Sequence, residues 1–268
     1  MQRQSLVSIS EYVALRKGVV SEKDISLLDV AAGTVHTLVF CVWACAVLCA
    51  RVREDRVVWH RHILLTRCMW KQGRQHTFIK DNWPKMKTVC SDLSPFYLKQ
   101  AYENFEYFAE FTKAVTGREI TRPEFVQAKA EDLPFANTTF DIVTCTYLFH
   151  EIPFPVRKEV AAEMFRVTKP GGICVITDSF QKGDFPERDH IGRRFPANYH
   201  EPYYNSYFEN TDLVKMFLEC GFVMRRHQCA HLSKVLTFDK PDPNDTDISS
   251  RRLASMANEA DGARWAVI

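Results

Sequence analysis

The stretch Val126–Asp178 constrains this chain more than any other. It opens with an acidic-polar turn and continues into an apolar strand, Phe140–Thr146. An amphipathic helix over VRKEVAAEMFRV comes next, and a Lys-Pro-Gly-Gly turn then feeds a second apolar strand, Ile173–Asp178. Two strands separated by a helix pair in parallel, because the chain must cross back before the second strand can start. Sheets built from such units bind ligands at the carboxyl ends of their strands, here Thr144–Glu151 and Thr177–Ser179.

The rest of the chain fits one α/β domain. With 268 residues, 46% hydrophobic and 25% charged, it can bury a single sizeable core. A formal charge of +2 gives no electrostatic case for a nucleic-acid partner, and Arg225-Arg226 and Arg251-Arg252 read as solvated faces. The nine cysteines contain no CxxC pair, which signals neither zinc nor a disulfide framework, and no metal is expected. A reducing compartment and a cytoplasmic location follow as expectations, because the first residues lack the apolar run of a secretory signal.

Pro95–Val115 has helical spacing, and Glu124–Ala128 suits a short strand. Ser179–Asn210, rich in Tyr, His and Pro, reads as a long loop of the kind that forms a lid. TDLVKMFLECGF reads as a helix closed by Gly221, with Val223–Ala230 and Ser233–Asp239 as an antiparallel hairpin. Residues 241–268 are polar and expected to be disordered.

Five segments in order, LLDVAAGT (Leu27–Thr34), VCSDLSP (Val89–Pro95), AEDLPF (Ala130–Phe135), FDIVTCTYLFHEIP (Phe140–Pro153) and RVTKPGG (Arg166–Gly172), resemble class I S-adenosylmethionine-dependent methyltransferases. The resemblance is strongest to the group that includes ubiquinone/menaquinone-type C-methyltransferases. It implies a doubly wound, mostly parallel Rossmann-like sheet with an antiparallel C-terminal hairpin, spanning residues 25–240. It also implies S-adenosylmethionine as cofactor and a small-molecule methyl acceptor, attacked at carbon or oxygen. It implies more helix ahead of the first strand than residues 1–24 supply, so truncation at the start is expected.

The resemblance also assigns roles to residues. Asp29 would end the first strand and orient the glycine turn, Gly33 and Gly73 would let the cofactor approach bare backbone, and Asp92 would accept two ribose hydroxyls, with Leu93 beside it. Ala130 and Glu131 would flank the adenine; Lys129 stands where many relatives carry Asp, with Asp132 the nearby substitute. Thr146, Tyr147 and His150 would face the transferred methyl group, and His150 is the candidate base if the acceptor must lose a proton. His200, Glu201, Tyr203 and Tyr204 would line the acceptor pocket.

One departure interrupts the cofactor loop. After Thr34 the expected glycine is missing, and it returns only at Gly73. Joining Thr34 to Gly73 restores an unbroken motif and places Asp92 19 residues past the glycine, near the about 20 such folds use. Val35–Gln72 therefore reads as an insertion, for instance an intron translated in frame, since valine codons begin with GT and the glutamine codon CAG ends in AG. Two other readings compete. The insertion breaks the loop and leaves an inactive methyltransferase-like protein, or Val35–Ala50 tethers a lipid methyltransferase to a membrane, although this mainly apolar run of sixteen residues falls short of the roughly 20 that span a bilayer.

Overall fold

A computed structural model describes residues 2–16, 20–31, 74–198, 201–230 and 232–244. Seven strands form one sheet in the order β3-β2-β1-β4-β5-β7-β6. They are β1 (Ser26–Val30), β2 (Lys87–Asp92), β3 (Glu124–Gln127), β4 (Phe140–Thr146), β5 (Thr168–Ser179), β6 (Val223–Ala230) and β7 (Ser233–Asp239). The first five run parallel; β7 joins β5 antiparallel, and β6 pairs with β7. The chain travels outward from β1 to β3, then returns to β4 beside β1. That reversal makes β1 and β4 the switch point, where open α/β sheets bind their ligands.

The central strands are buried on both faces, as parallel strands covered by helices must be. Successive residues alternate between two cores. Leu28, Val143, Cys174 and Leu236 join Val160, Met164 and Phe217 on one face. Leu27, Ile142, Ile173 and Val235 join Ile9, Tyr12 and Ile79 on the other. The first face is covered by α4 (Phe154–Val167) and α7 (Leu213–Glu219), the second by α1 (Gln2–Arg16) and α2 (Arg74–Asn82). Alongside β2 and β3 runs α3 (Pro95–Thr116), whose N-cap Ser94 accepts from the Tyr97 N–H and whose end is set by Gly117 at φ 69°. The doubly wound reading holds.

Three details differ from the sequence-based expectations. The Lys-Pro-Gly-Gly segment is a bulge inside a longer β5: Thr168 pairs with Phe140 and Ile173 with Ile142, and the residues between are pinned by Gly171 N–H to Lys240 O (2.8 Å) and Lys240 N–H to Gly172 O (2.9 Å). Residues 180–210 are largely helical. They form α5 (Asp189–Asn198) and α6 (Tyr204–Asn210), because Tyr204 and Phe208 at helical spacing bury against Phe180 and Phe185 while Tyr207 joins the main core. A Cβ on Gly192 would sit 2.3 Å from the Phe208 ring, so only glycine allows α5 to lie this close.

The third detail is α1. Its buried face is Ser5, Ser8, Ile9 and Tyr12, half of it polar. Ser5 Oγ bonds Thr177 Oγ1 (2.7 Å) and Ser8 Oγ bonds Thr237 Oγ1 (2.8 Å), so the hydroxyls are satisfied across the helix–sheet interface. A polar inward face hides such a helix from hydrophobic periodicity. The predicted insertion and most of the predicted tail lie outside the described residues.

Candidate active site

The site is built at the carboxyl ends of β1, β2, β4 and β5. Asp29 is 2% exposed; its Oδ1 accepts from Thr144 Oγ1 (2.7 Å) on the neighbouring strand, and its carbonyl accepts from Ser91 Oγ (3.2 Å). These bonds tie β1 to β4 and β2 at the switch point. Ala31, which opens the turn after β1, has φ 55°, and Tyr147, the first residue after β4, has φ 58°. Left-handed backbone at non-glycine residues costs about 1–2 kcal/mol, and here it falls at the ends of the two strands that flank the switch point. Gly33 and Gly73 lie outside the described residues.

Asp92 ends β2, nearly buried. Its Oδ1 accepts from the Ser94 N–H (2.8 Å), which fixes the carboxylate at the mouth of the β2–α3 turn, while the Leu93 side chain is exposed. Gln127 Nε2 donates to Leu93 O (3.0 Å), joining this turn to the end of β3. Ala130 and Glu131 occupy a tight turn closed by the Asp132 N–H to Lys129 O (3.3 Å). That turn is strapped to α4. Glu163 Oε2 accepts from Leu133 N–H (2.9 Å), and Arg166 donates to the carbonyls of Leu133 (2.9 Å) and Phe135 (2.7 Å). The Arg166 bonds hold the Glu163 carboxyl below its usual range.

Thr146 bonds Gln75 of α2 through its hydroxyl. Tyr147 is held by its N–H to Thr177 O (2.7 Å) and its phenol to Ser233 Oγ (2.7 Å); burial pushes the phenol's pKa up.

His150 is 2% exposed and its Nδ1 lies 2.5 Å from Asp178 Oδ1. Asp178, 1% exposed, also accepts the backbone N–H of Ser179 at Oδ1 (2.7 Å) and of Phe149 at Oδ2 (2.8 Å). A carboxylate in that role only accepts, so Nδ1 carries the proton and the lone pair resides on Nε2. His150 Nε2 faces two more acids, Glu151 Oε1 at 3.8 Å and Glu201 Oε2 at 4.0 Å. Burial works against the histidine's charge, but Asp178, Glu151 and Glu201 outweigh it and raise the pKa. Burial likewise raises Glu151 to about 7, and raises Glu201 against the opposing pull of His150. The field of Asp92 also acts on Glu151, which relates the β2 end to this cluster.

Beneath it lies Arg157, fully buried. Its guanidinium donates to Phe149 O (2.7 Å), Thr211 Oγ1 (2.6 Å), Tyr203 O (2.9 Å) and Ser206 Oγ (3.2 Å). One fork thus clamps the backbone next to His150 to α6.

Of the predicted acceptor-pocket residues, Glu201 reaches His150, Tyr204 packs its ring 6.0 Å from the imidazole, the Tyr203 side chain is partly exposed, and His200 lies outside the described residues. Sequence reasoning missed Asp178, Arg157, Glu163, Arg166 and Gln75. An acid closing the apolar run ICVITD was the available signal for Asp178; the others are ordinary helix residues whose importance appears only through their partners.

The seven-stranded sheet, with acids Asp29 and Asp92 near the ends of β1 and β2, has the architecture of class I methyltransferases. Residues 71–176 match the methyltransferase-domain family. The chain is similar to a demethylmenaquinone methyltransferase of Renibacterium salmoninarum, 42% identical over 55 residues, covering 20% of this chain and 22% of the relative. It is also similar to a ubiquinone/menaquinone biosynthesis C-methyltransferase of Salmonella arizonae, 29% identical over 92 residues, covering 34% and 32%. The matches therefore span about a fifth to a third of those relatives. Among solved structures, a SAM-dependent methyltransferase from Aquifex aeolicus superposes with a TM-score of 0.50 at 14% identity, covering 85% of this chain and 87% of that one. At that identity the likeness is one of fold.

Proposed function

We propose that this chain transfers a methyl group from S-adenosylmethionine to carbon or oxygen of a small hydroxylated acceptor, with His150 taking the acceptor's proton. The observation that carries this is the buried His150–Asp178 pair at the ends of β4 and β5. The donor set fits the cofactor: Asp92 offers a fixed carboxylate for ribose hydroxyls, the Lys129–Asp132 turn offers backbone groups for adenine, and Asp29 fixes the turn after β1 through Thr144 and Ser91.

When bound, S-adenosylmethionine supplies an electrophilic methyl carbon on a sulfonium and leaves as S-adenosylhomocysteine. His150 Nε2 accepts the proton of an acceptor hydroxyl, and the electron pair so released makes that oxygen, or a ring carbon conjugated to it, the nucleophile. Asp178 steadies the imidazolium without taking the proton. Glu151 and Glu201 face the same nitrogen and stabilise the positive charge there. Arg157 and Tyr147 hold the loop, so that positioning supplies the remainder of the acceleration. The printed names of the relatives point to quinone-type acceptors, whose reduced hydroxyl forms suit this chemistry.

Two observations support the insertion reading. His76 Nδ1, two residues into α2, lies 3.9 Å from Asp29 Oδ2, so the chain leaves β1 and returns to the same place. The family match also begins at residue 71, two residues before Gly73. Calorimetric titration of S-adenosylhomocysteine into the chain as given and into a version lacking residues 35–72 tests the proposal. Saturable binding by the chain with residues 35–72 present supports it; binding by neither form sinks it. Binding by the shortened form alone would make this chain an inactive methyltransferase-like protein. The membrane alternative rests on Val35–Ala50; among the described residues no helix is long and apolar enough to cross a membrane.

A further inference from the structure

Three metal-binding side chains, one from the segment after β5 and two from β6, meet where that segment touches β6. Asp184, His227 and Cys229 each present one ligand atom, and the three atoms lie within 4.8 Å of one another. We propose that Asp184, His227 and Cys229 form a binding site for a divalent transition-metal ion of the zinc class, with a fourth position left for water. The proposal stands independently of the methyl-transfer reading.

The two separations from His227 match a tetrahedral ion. A tetrahedral zinc with Zn–N about 2.0–2.1 Å, Zn–S about 2.3 Å and Zn–O about 2.0–2.2 Å sets its nitrogen and sulfur ligands about 3.6 Å apart, and nitrogen and oxygen about 3.4 Å apart. His227 Nε2 lies 3.4 Å from Cys229 Sγ and 3.6 Å from Asp184 Oδ1. Both separations fit with shifts of a few tenths of an ångström. Strand alternation puts His227 and Cys229 on one face of β6, two residues apart. The His227 and Asp184 side chains are only 8% and 10% exposed.

The surroundings orient the carboxylate. Asp184 Oδ2 accepts from the Gln181 N–H (2.6 Å) and meets Lys234 Nζ at 3.0 Å, which turns Oδ1 towards His227. Lys234 in turn donates to Gln181 Oε1 (2.5 Å). Such outer contacts fix the geometry of metal ligands. The Lys234 ammonium opposes a cation, but a Cys229 thiolate and the Asp184 carboxylate together match the ion's two charges. One sulfur, one imidazole and one carboxylate select zinc-like ions over magnesium or calcium. Cys229 also packs on the Phe180, Phe185, Tyr204 and Phe208 cluster, so the ion would pin the base of the 180–210 segment to the sheet edge.

The test uses the full chain, stripped with chelator and titrated with Co²⁺, then Zn²⁺. The native chain is expected to develop a thiolate-to-cobalt charge-transfer band that zinc abolishes; Cys229→Ser is expected to lose that band, and His227→Gln to bind cobalt at least tenfold more weakly. The cysteines of Val35–Gln72 are present in every sample, so any metal they hold cancels in the comparison. Absence of the band in the native chain, or a band unchanged by Cys229→Ser, overturns the proposal. Should Cys229→Ser fail to fold by circular dichroism, His227→Gln carries the comparison, and unchanged cobalt affinity in that variant overturns it equally.

Discussion

A buried imidazole whose Nδ1 is committed to a carboxylate exchanges protons through Nε2, and His150 is set in that way by Asp178. Replacing the carboxylate by an amide lets the side chain donate to Nδ1 and moves the ring proton to the wrong nitrogen. Asp178→Asn is therefore expected to lower kcat roughly 100- to 10,000-fold while S-adenosylhomocysteine affinity, read by calorimetry, stays within about twofold. A kcat within a factor of three of the native chain would remove His150 from the base role. Because the acids around it raise the His150 pKa, the native rate is expected to climb with pH through a midpoint above histidine's ordinary value. At the turn after β1, Ala31→Gly relieves a left-handed φ of 55°. Strain of about 1–2 kcal/mol, less the extra chain entropy of glycine, predicts a gain of about 0.5–1 kcal/mol in urea unfolding; a loss would show that the turn is not strained.

Among the elements, α4 and α6 depend on one side chain. Arg157 spreads four hydrogen bonds over Phe149, Tyr203, Ser206 and Thr211, and a lysine cannot reproduce a planar fork. Arg157→Lys is expected to cost about 2–3 kcal/mol of unfolding free energy, since buried acceptors lose their donors. It should also reduce kcat more than it changes KM, because the Phe149 carbonyl adjoins His150. A variant as stable as the native chain would make the clamp redundant. The link between β1 and α2 gives a second expectation. Since Asp29 and His76 already stand 3.9 Å apart, removing residues 35–72 is expected to leave the circular dichroism spectrum native-like and the melting temperature no lower. A collapse of the melting transition would mean that the segment is part of the core. Sequencing the mature transcript separates an intron from a permanent insertion.

For the whole molecule, the acid cluster couples stability to pH. Glu151 titrates near 7 in the folded chain and near 4.5 when unfolded, so between those values the folded state holds the extra proton. Its contribution is greatest below about pH 4.5 and is lost as pH rises to about 7, by at most about 3 kcal/mol at 1.36 kcal/mol per unit. His150, also raised, acts in the same direction, its contribution fading as pH rises through its folded value. The stability difference between the native chain and Glu151→Gln, followed by urea unfolding from pH 4.5 to 8, should therefore shift steadily in favour of the variant. A flat difference would show that Glu151 ionises normally.

Where a local pattern carries the information, residue order was enough. The buried β4 and the β6–β7 hairpin have the predicted bounds, since burial on both faces or a short reversal leaves a mark in consecutive residues. Asp92 closes β2 as the pattern implied, while β1 runs one residue past Asp29. Which distant groups meet is set by how the elements pack. Asp178 becomes the partner of His150 because β4 and β5 are neighbours in register, and α1 covers the sheet through serine hydroxyls that no hydrophobic pattern reveals. The 180–210 segment turns helical because its aromatics find Phe180 and Phe185, and Asp184 meets His227 and Cys229 because β6 folds back along β7. Pairings of this kind depend on loop closure and packing across the sheet, and neither leaves a trace in residue order.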